Sequence, residues 1–422
     1  MQRSCEQRVV FEGRFIVENN ATVRQTAREF GVSKSTVHKD MQVRLKYYSE
    51  SLYIEVQKVL KTNFEQKHLR GGIATKNKYL SLKNTSEKRL QNNFSSGIII
   101  SISINKADKN LKKYLIGIDL GGTFIKGGII SDKGKLIVKD QIPTQVERGA
   151  EIVAKNIANL CEKLLADKAI NKSEVKGIGI GAPGLIDSKN GVVVFAGNLG
   201  FSYTPLAQLV QAFASIPVKI TNDANAAALG EAKFGAGKGF SDSVFVTLGT
   251  GVGGGIVINN QLFEGNKSAG AEIGHMIIQE GGEHCTCGQR GCFEAYSSAT
   301  ALIRETKRAM ENNKDSLMWE VGIENVTGKT AFDYASKDET AKTVIDNYIK
   351  MLSVGLVNIA NIFRPEAIIL GGGISRQQGI ENPLHELVNK NKFAGTMGPE
   401  VKVVVASLKN DAGTFGAAAL WL

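Results

Sequence analysis

Apolar residues recur at helical spacing through the N-terminal segment of this chain and at strand spacing, punctuated by glycine, after Tyr114. In residues 8–19, Val9, Val10, Phe11, Phe15 and Ile16 share one helical stripe, which Asn19-Asn20 ends. Thr22 is placed to cap a second helix running to Phe30, Gly31 supplies a turn residue, and Ser33 is placed to cap a third helix over KSTVHKDMQVRL. The pattern predicts a helix, a tight turn and a second helix, packed through Val23, Ala27, Val32, Val37 and Met41.

From Tyr114 the segment YLIGIDLGGTFIKGGIISDKGKLIVKDQIPT reads as three consecutive strands, with a glycine turn at Asp119 to Thr123 and Gly134 in a hairpin. Val244 to Ile258 repeats the order strand, glycine turn, strand. Ile216 to Glu231 is a strand ending at Asn222-Asp223 and then an alanine-rich helix, and Ala367 to Ser375 is a buried strand running into three glycines. Residues 150–168 and 341–362 carry apolar positions at spacings of three and four and read as core helices. Residues 81–112 fit neither period and read as a tether, or as translated sequence joining two once-separate genes. Their apolar run, Gly97 to Ile104, would be an aggregation liability if exposed.

A chain of 422 residues has the length for two or three domains. No apolar run approaches the roughly 18 residues of a membrane helix, and the polar first thirty positions hold no secretory signal, so a cytoplasmic location is expected. The net charge of +11 is unevenly spread. Residues 1–112 carry 21 Lys and Arg against 10 Asp and Glu, whereas residues 113–422 carry 31 of each sign. The basic excess therefore lies wholly in the first quarter, which points that quarter toward a polyanion. On the third helix Lys34, Ser35, Thr36, His38 and Lys39 would face a DNA major groove.

The candidate chemistry concentrates in Glu272 to Glu294. Cys285, Cys287 and Cys292 form a C-x-C-x4-C run with His275 ten residues upstream, the donor set of a tetrahedral Cys3His zinc (Zn2+) site. A reduced loop without metal and a disulfide are the alternatives, and the odd cysteine count disfavours the second. Glycine turns at Gly121-Gly122, Gly249-Thr250-Gly251 and Gly371-Gly372-Gly373 would let the backbone approach the phosphates and adenosine of a nucleotide, with Asp119 holding Mg2+ through water. Asp223, between a strand and a helix, reads either as a helix cap or as a base facing a cleft.

The three glycine turns match the phosphate 1, phosphate 2 and adenosine motifs of the actin-like sugar kinase superfamily. Residues 113–422 resemble the ROK family (repressor, open reading frame, kinase), and within it most closely the bacterial glucokinases. The resemblance implies an α/β, actin-like ATPase (ribonuclease H-like) fold of two lobes. The small lobe would span residues 113–223 plus a C-terminal helix at 412–422, and the large lobe residues 224–411. It implies Asp223 as proton acceptor and Asn222, Glu272, His275 and Glu294 as ligands of sugar hydroxyls, with Gly184 and Asn198 near the sugar. It also implies that Gly122, Thr123 and Lys126 face sugar and nucleotide, and that His275, Cys285, Cys287 and Cys292 hold a structural zinc. Two positions depart from the family pattern: Phe124 stands where Asn is common, and Phe201 where Trp is frequent.

The words TVRQTAREFGVSKSTVHKD and KHLRGGIATKNKYL resemble the stage III sporulation protein D family of DNA-binding regulators. That resemblance implies an all-α helix-turn-helix domain over residues 1–80, joined by the tether at 81–112, with backbone contacts to double-stranded DNA from Lys67, His68, Arg70, Lys76 and Lys78. Together the resemblances imply an ATP-dependent kinase of glucose or a related hexose (mannose, fructose, allose, N-acetylmannosamine) acting in glycolysis, as a homodimer, with an appended DNA-binding domain. Competing expectations are a sugar-responsive transcriptional repressor, and two independent proteins sharing one chain by fusion.

Overall fold

The computed structural model describes residues 5–60 and 112–422, which belong to two units divided between residues 107 and 108. The tether and the second basic segment, with Lys67, His68, Arg70, Lys76 and Lys78, lie outside the described residues.

In the N-terminal unit, α1 (Cys5–Glu18), α2 (Val23–Glu29) and α3 (Lys34–Lys39) form where the apolar stripes predict them. Thr22 caps α2 in a reciprocal box with Gln25, and Ser33 caps α3 by accepting from Thr36 N at 3.1 Å. Gly31 turns the chain at φ +64°. Past α3 the helix widens into a π-turn at Asp40–Arg44, then continues as α4 (Leu45–Tyr48), and residues 50–60 form α5. Val9, Ile16, Val37, Met41, Leu45 and Val56 make the core, with Val23 and Val32 half-buried against it. Two carboxylates are buried with them. Asp40 accepts from Arg8 Nη2 at 2.8 Å and from Arg44 Nη1 at 2.6 Å, and Glu12 pairs with Arg8 Nε at 3.3 Å. The π-turn begins at this paired Asp40.

The second unit opens with β1 (Tyr114–Leu120), β2 (Phe124–Ser131), β3 (Leu136–Pro143) and α6 (Ala150–Asp167). There follow β4 (Val175–Ala182), β5 (Leu185–Asp187), β6 (Val192–Ala196), β7 (Phe201–Thr204), α7 (Leu206–Ala214), β8 (Val218–Asn222) and α8 (Asp223–Phe234). Next come β9 (Ser243–Leu248), β10 (Val252–Ile258), β11 (Gln261–Phe263), α9 (Glu294–Ser297), α10 (Ala299–Asn312), α11 (Thr330–Tyr334) and α12 (Glu339–Phe363). The unit closes with β12 (Ala367–Gly371), α13 (Glu381–Asn391), β13 (Lys402–Val405) and α14 (Ala412–Ala419).

Two five-stranded sheets share one topology. The first runs β3-β2-β1-β4-β8 and the second β11-β10-β9-β12-β13. In each, a meander of three antiparallel strands is extended by two parallel strands at its first member. β1 and β12 are buried almost throughout, as strands covered on both faces must be. A small antiparallel sheet, β5-β6-β7, completes the first half.

Helix α14 returns to the first sheet and crosses α8. Gly117 of β1 and Gly179 of β4 lie under the backbone of Thr414 and Ala417, and Gly416 lies against Ala226 of α8. A side chain at any of these three glycines would collide with backbone, so their small size permits the packing. One core fills the first sheet around Ile116, Ile118 and Ile180 and another the second around Phe293, Leu352 and Ile368. Among the described residues, no helix is long and apolar enough to cross a membrane.

Candidate active site

A cleft of about 720 Å³ opens where the strand ends of the two sheets converge. Asp119, Asp223, Glu272, His275 and Glu294 all line it, with Gly184 and Asn222 on one wall and the glycine turns at 249–251 and 372–373 on another. Four carboxylates facing one space repel each other unless a proton or cation intervenes.

Asn222 is the last residue of β8 and the cap of α8, its side-chain oxygen accepting from Ala224 N at 2.9 Å and Asn225 N at 3.3 Å. The capping role that Asp223 was free to play thus falls to its neighbour. Asp223 is the first helical residue, held by Ala224 N donating to Oδ1 at 2.8 Å. Its carboxylate stays open to the cleft, yet the protein around it strips away enough water to hold its pKa above the ordinary aspartate range. The Ala224 amide opposes that rise, and the charges of Asp119 and Glu272 add to it. A carboxylate so placed is a stronger base than one in water.

Asp119, next to last in β1, lies opposite Lys126 of β2 in the strand register, and Lys126 Nζ lies 3.5 Å from Asp119 Oδ2. Burial raises its pKa and the Lys126 ammonium counters. The turn between the strands is pinned by Thr144, whose hydroxyl donates to Gly121 O at 2.7 Å and whose amide donates to Thr123 O at 2.9 Å. Gly122 packs on the backbone of Asn198, which brings those two expected residues together. Lys126 faces a separate recess with Lys139 and Asp411. Phe124 is 44% exposed beside this turn, whereas Phe201 is buried.

Of the third glycine turn, Gly372 and Gly373 line the cleft. Gly371 does not: it gives space to the Phe245 ring, a packing role. Gly372 takes φ +86° and lies against Leu248, so this turn abuts the one at 249–251.

In the Glu272 to Glu294 loop, the donor atoms of His275, Cys285, Cys287 and Cys292 all lie within 4.8 Å of one another. Cys285 Sγ is 3.6 Å from His275 Nδ1 and Cys287 Sγ is 3.7 Å from Cys292 Sγ. Zn–S bonds of about 2.3 Å and Zn–N bonds of about 2.1 Å give tetrahedron edges of about 3.5 to 3.8 Å, so the four groups fit such an ion. All three cysteines are free thiols, which sets the disulfide alternative aside. Glu294 joins this loop to the second glycine turn: Oε1 accepts from Thr286 Oγ1 at 3.1 Å and Oε2 from Val252 N at 3.0 Å.

Arg376, Lys409, Asn410 and Asn225 also line the cleft and were not legible in sequence. Arg376 Nη2 donates to Asn410 Oδ1 at 3.1 Å, linking the two chain segments. The available signals were a basic residue three positions after the glycine triplet and a Lys-Asn pair just before the last helix.

In the N-terminal unit, Lys34, Ser35, His38 and Lys39 are exposed on α3, while Val37 turns into the core. Thr36 is half-buried. The Ser33 hydroxyl lies 2.8 Å from those of both Ser35 and Thr36, so these two help to cap the helix.

Residues 115–422 match the ROK family, and the chain belongs to that family; its second unit has the actin-like ATPase fold of ROK sugar kinases. Residues 2–83 match Stage III sporulation protein D. Among individual relatives, a glucokinase of Thermotoga maritima is 39% identical over 317 residues, 73% of this chain and 97% of that protein. The crystal structure of a ROK family glucokinase from Streptomyces griseus in complex with glucose and AMPPNP is 33% identical with a TM-score of 0.60, covering 73% of this chain and 98% of that one. A xylose repressor of Caldicellulosiruptor bescii is 31% identical over 311 residues, 72% of this chain and 77% of that protein.

Proposed function

We propose that this chain is a ROK-type glucokinase that transfers the γ-phosphoryl group of ATP to O6 of glucose. The observation that carries the reading is a single cleft holding Asp223, a carboxylate of raised basicity, between two glycine turns and a wall of sugar-compatible side chains. The glucokinase relatives support the substrate.

In this reading glucose lies against Gly184, Asn198, Asn222, Glu272, His275 and Glu294. Asp223 accepts the O6 proton as O6 bonds to the γ-phosphorus and the bond to the β-bridging oxygen breaks, releasing ADP; the proton then passes to solvent. Gly121 N and Gly249 N close their own turns by donating to Phe124 O and Gly251 O, each at 3.0 Å, so the amides of Gly122, Thr123, Thr250 and Gly251 would donate to phosphate oxygens, while Lys126 orients Asp119 and Gly372-Gly373 make room for adenosine. Asp119 would hold Mg2+, which when bound would neutralise charge on the phosphates. His275 and the thiolates of Cys285, Cys287 and Cys292 would hold a zinc ion, whose part would be to keep the loop in shape. Assaying ATP consumption with glucose, mannose, fructose, allose and N-acetylmannosamine tests the reading, and the highest kcat/KM is expected for glucose.

The appended unit is read as a helix-turn-helix that places α3 in the major groove of double-stranded DNA, with Lys34, Ser35, Thr36, His38 and Lys39 toward the bases and phosphates. The exposed basic face of α3 supports it. A cytoplasmic, homodimeric enzyme completes the picture. The xylose repressor relatives favour a second reading, in which sugar binding governs DNA affinity. A glucose-dependent shift in DNA affinity without ATP consumption would establish that alternative.

A further inference from the structure

A hydrogen-bonded cluster behind the cleft joins the two sheets through one acidic side chain. Thr221, fully buried and one residue before Asn222, donates its hydroxyl to Glu264 Oε1 at 2.6 Å. Ser188, in the turn after β5, donates to Glu264 Oε2 at 2.7 Å, and the Ser268 hydroxyl lies 2.7 Å from that of Ser188. Glu264 follows β11 and is the root of the loop leading to Glu272, a loop closed on itself by Gly270 N donating to Glu264 O at 2.8 Å.

The two hydroxyls that donate to Glu264 come from the half of the unit built on the first sheet. Glu264 and Ser268 come from the half built on the second. Hydrogen bonds to a carboxylate are stronger than neutral ones, and although Glu264 itself is half-buried, its partner Thr221 is fully buried, which limits competition from water at that bond. Ser268 and Ala271 carry φ of +57° and +67°, so the loop holds a costly conformation that outside contacts must maintain.

We propose that Glu264 is a positioning residue. Its carboxylate ties the loop carrying Glu272 to the strand end presenting Asn222 and Asp223, and so holds the sugar in register with the base. The proposal rests on the glucokinase reading. Misplacement of reacting groups by about 1 Å costs on the order of 100-fold in rate, which is the scale of effect such a tie controls.

The test compares steady-state kinetics of the full chain with Glu264→Ala, Glu264→Gln, Thr221→Val and the Glu264→Ala/Thr221→Val double variant, each checked by thermal melting. Glu264→Ala should lower kcat/KM for glucose by roughly 10- to 100-fold, through both kcat and glucose KM, with ATP KM within about twofold. Glu264→Gln should recover most of the loss, because its oxygen can accept from Thr221 and its amide can donate to Ser188. Thr221→Val keeps the side-chain shape and should reproduce part of the defect, and the double variant should be no worse than Glu264→Ala alone. Wild-type kinetics in Glu264→Ala, an equal rise in ATP KM, or independent multiplication of the two losses would overturn the proposal. If Glu264→Ala melts, Thr221→Val and Glu264→Gln decide by the same criteria. A wild-type chain inactive on glucose would overturn the kinase reading instead, and this inference with it.

Discussion

The side-chain Nδ2 of Asn222 donates to the carbonyl oxygen of Gly184 at 3.1 Å. The same side chain caps α8, so one residue joins the start of the helix bearing Asp223 to the turn at Gly184. The two roles separate by substitution. Asn222→Ala removes both and should lower stability by about 1 kcal/mol as well as raising glucose KM. Asn222→Asp keeps the capping acceptor and loses the donor, so it should leave Tm near wild type and still raise glucose KM. Differential scanning calorimetry beside initial-rate kinetics checks both.

The raised pKa of Asp223 fixes the sign of a pH effect. A base works only when deprotonated, so kcat/KM for glucose should fall as pH drops, and the fall should begin at higher pH than an ordinary aspartate would give. The ionised carboxylate in the cleft also costs folding stability at pH above its folded pKa, and the penalty vanishes in acid. Asp223→Asn should therefore melt at or above the wild-type temperature near neutral pH. A lower Tm for that variant would show that the carboxylate is stabilised by contacts and not desolvated.

Metal removal should act on the sugar side first. Glu272, His275 and Glu294 all sit on the loop that the four metal donors close, whereas the phosphate turn meets that loop through Val252 N and Glu294. One zinc per chain is expected by elemental analysis, and Cys287→Ser should lose it. Titration calorimetry on that variant should find weaker glucose binding with ATP binding little changed. Normal glucose affinity without zinc would contradict the assigned role.

Burial, reinforced by the charge of Asp40, pushes the Glu12 carboxyl up from 4.5 to about 7, against the pull of Arg8. The folded N-terminal unit then binds more protons than the unfolded chain between these values, so its stability should fall as pH rises from 4.5 to about 7. Hydrogen-exchange protection factors over residues 5–60 of the full chain, corrected for intrinsic rates, should decline across that range. Glu12→Gln should flatten the decline.

Periodicity made the strands β1 to β3, the turn at Gly134 and the caps at Thr22 and Ser33 legible, because each is decided by neighbours in sequence. The Cys3His set was legible for the same reason, its four donors lying within one loop. Contacts between distant segments were not. Thr221 reaches Glu264 and Arg376 reaches Asn410 only once the sheets are stacked, and no neighbour in sequence announces either pairing. Gly371 looked like its two neighbours, and only the Phe245 ring against it separates packing from binding. The π-turn after α3 begins at Asp40, whose ion pair with Arg8 spans 32 positions.

The most direct test of the account is turnover and glucose binding in Asp223→Asn. Measured by a coupled ATP assay and by calorimetry, kcat should fall by about two to four powers of ten while glucose affinity stays within about threefold of wild type. Near wild-type turnover with glucose still bound would contradict the assignment of Asp223 as the base.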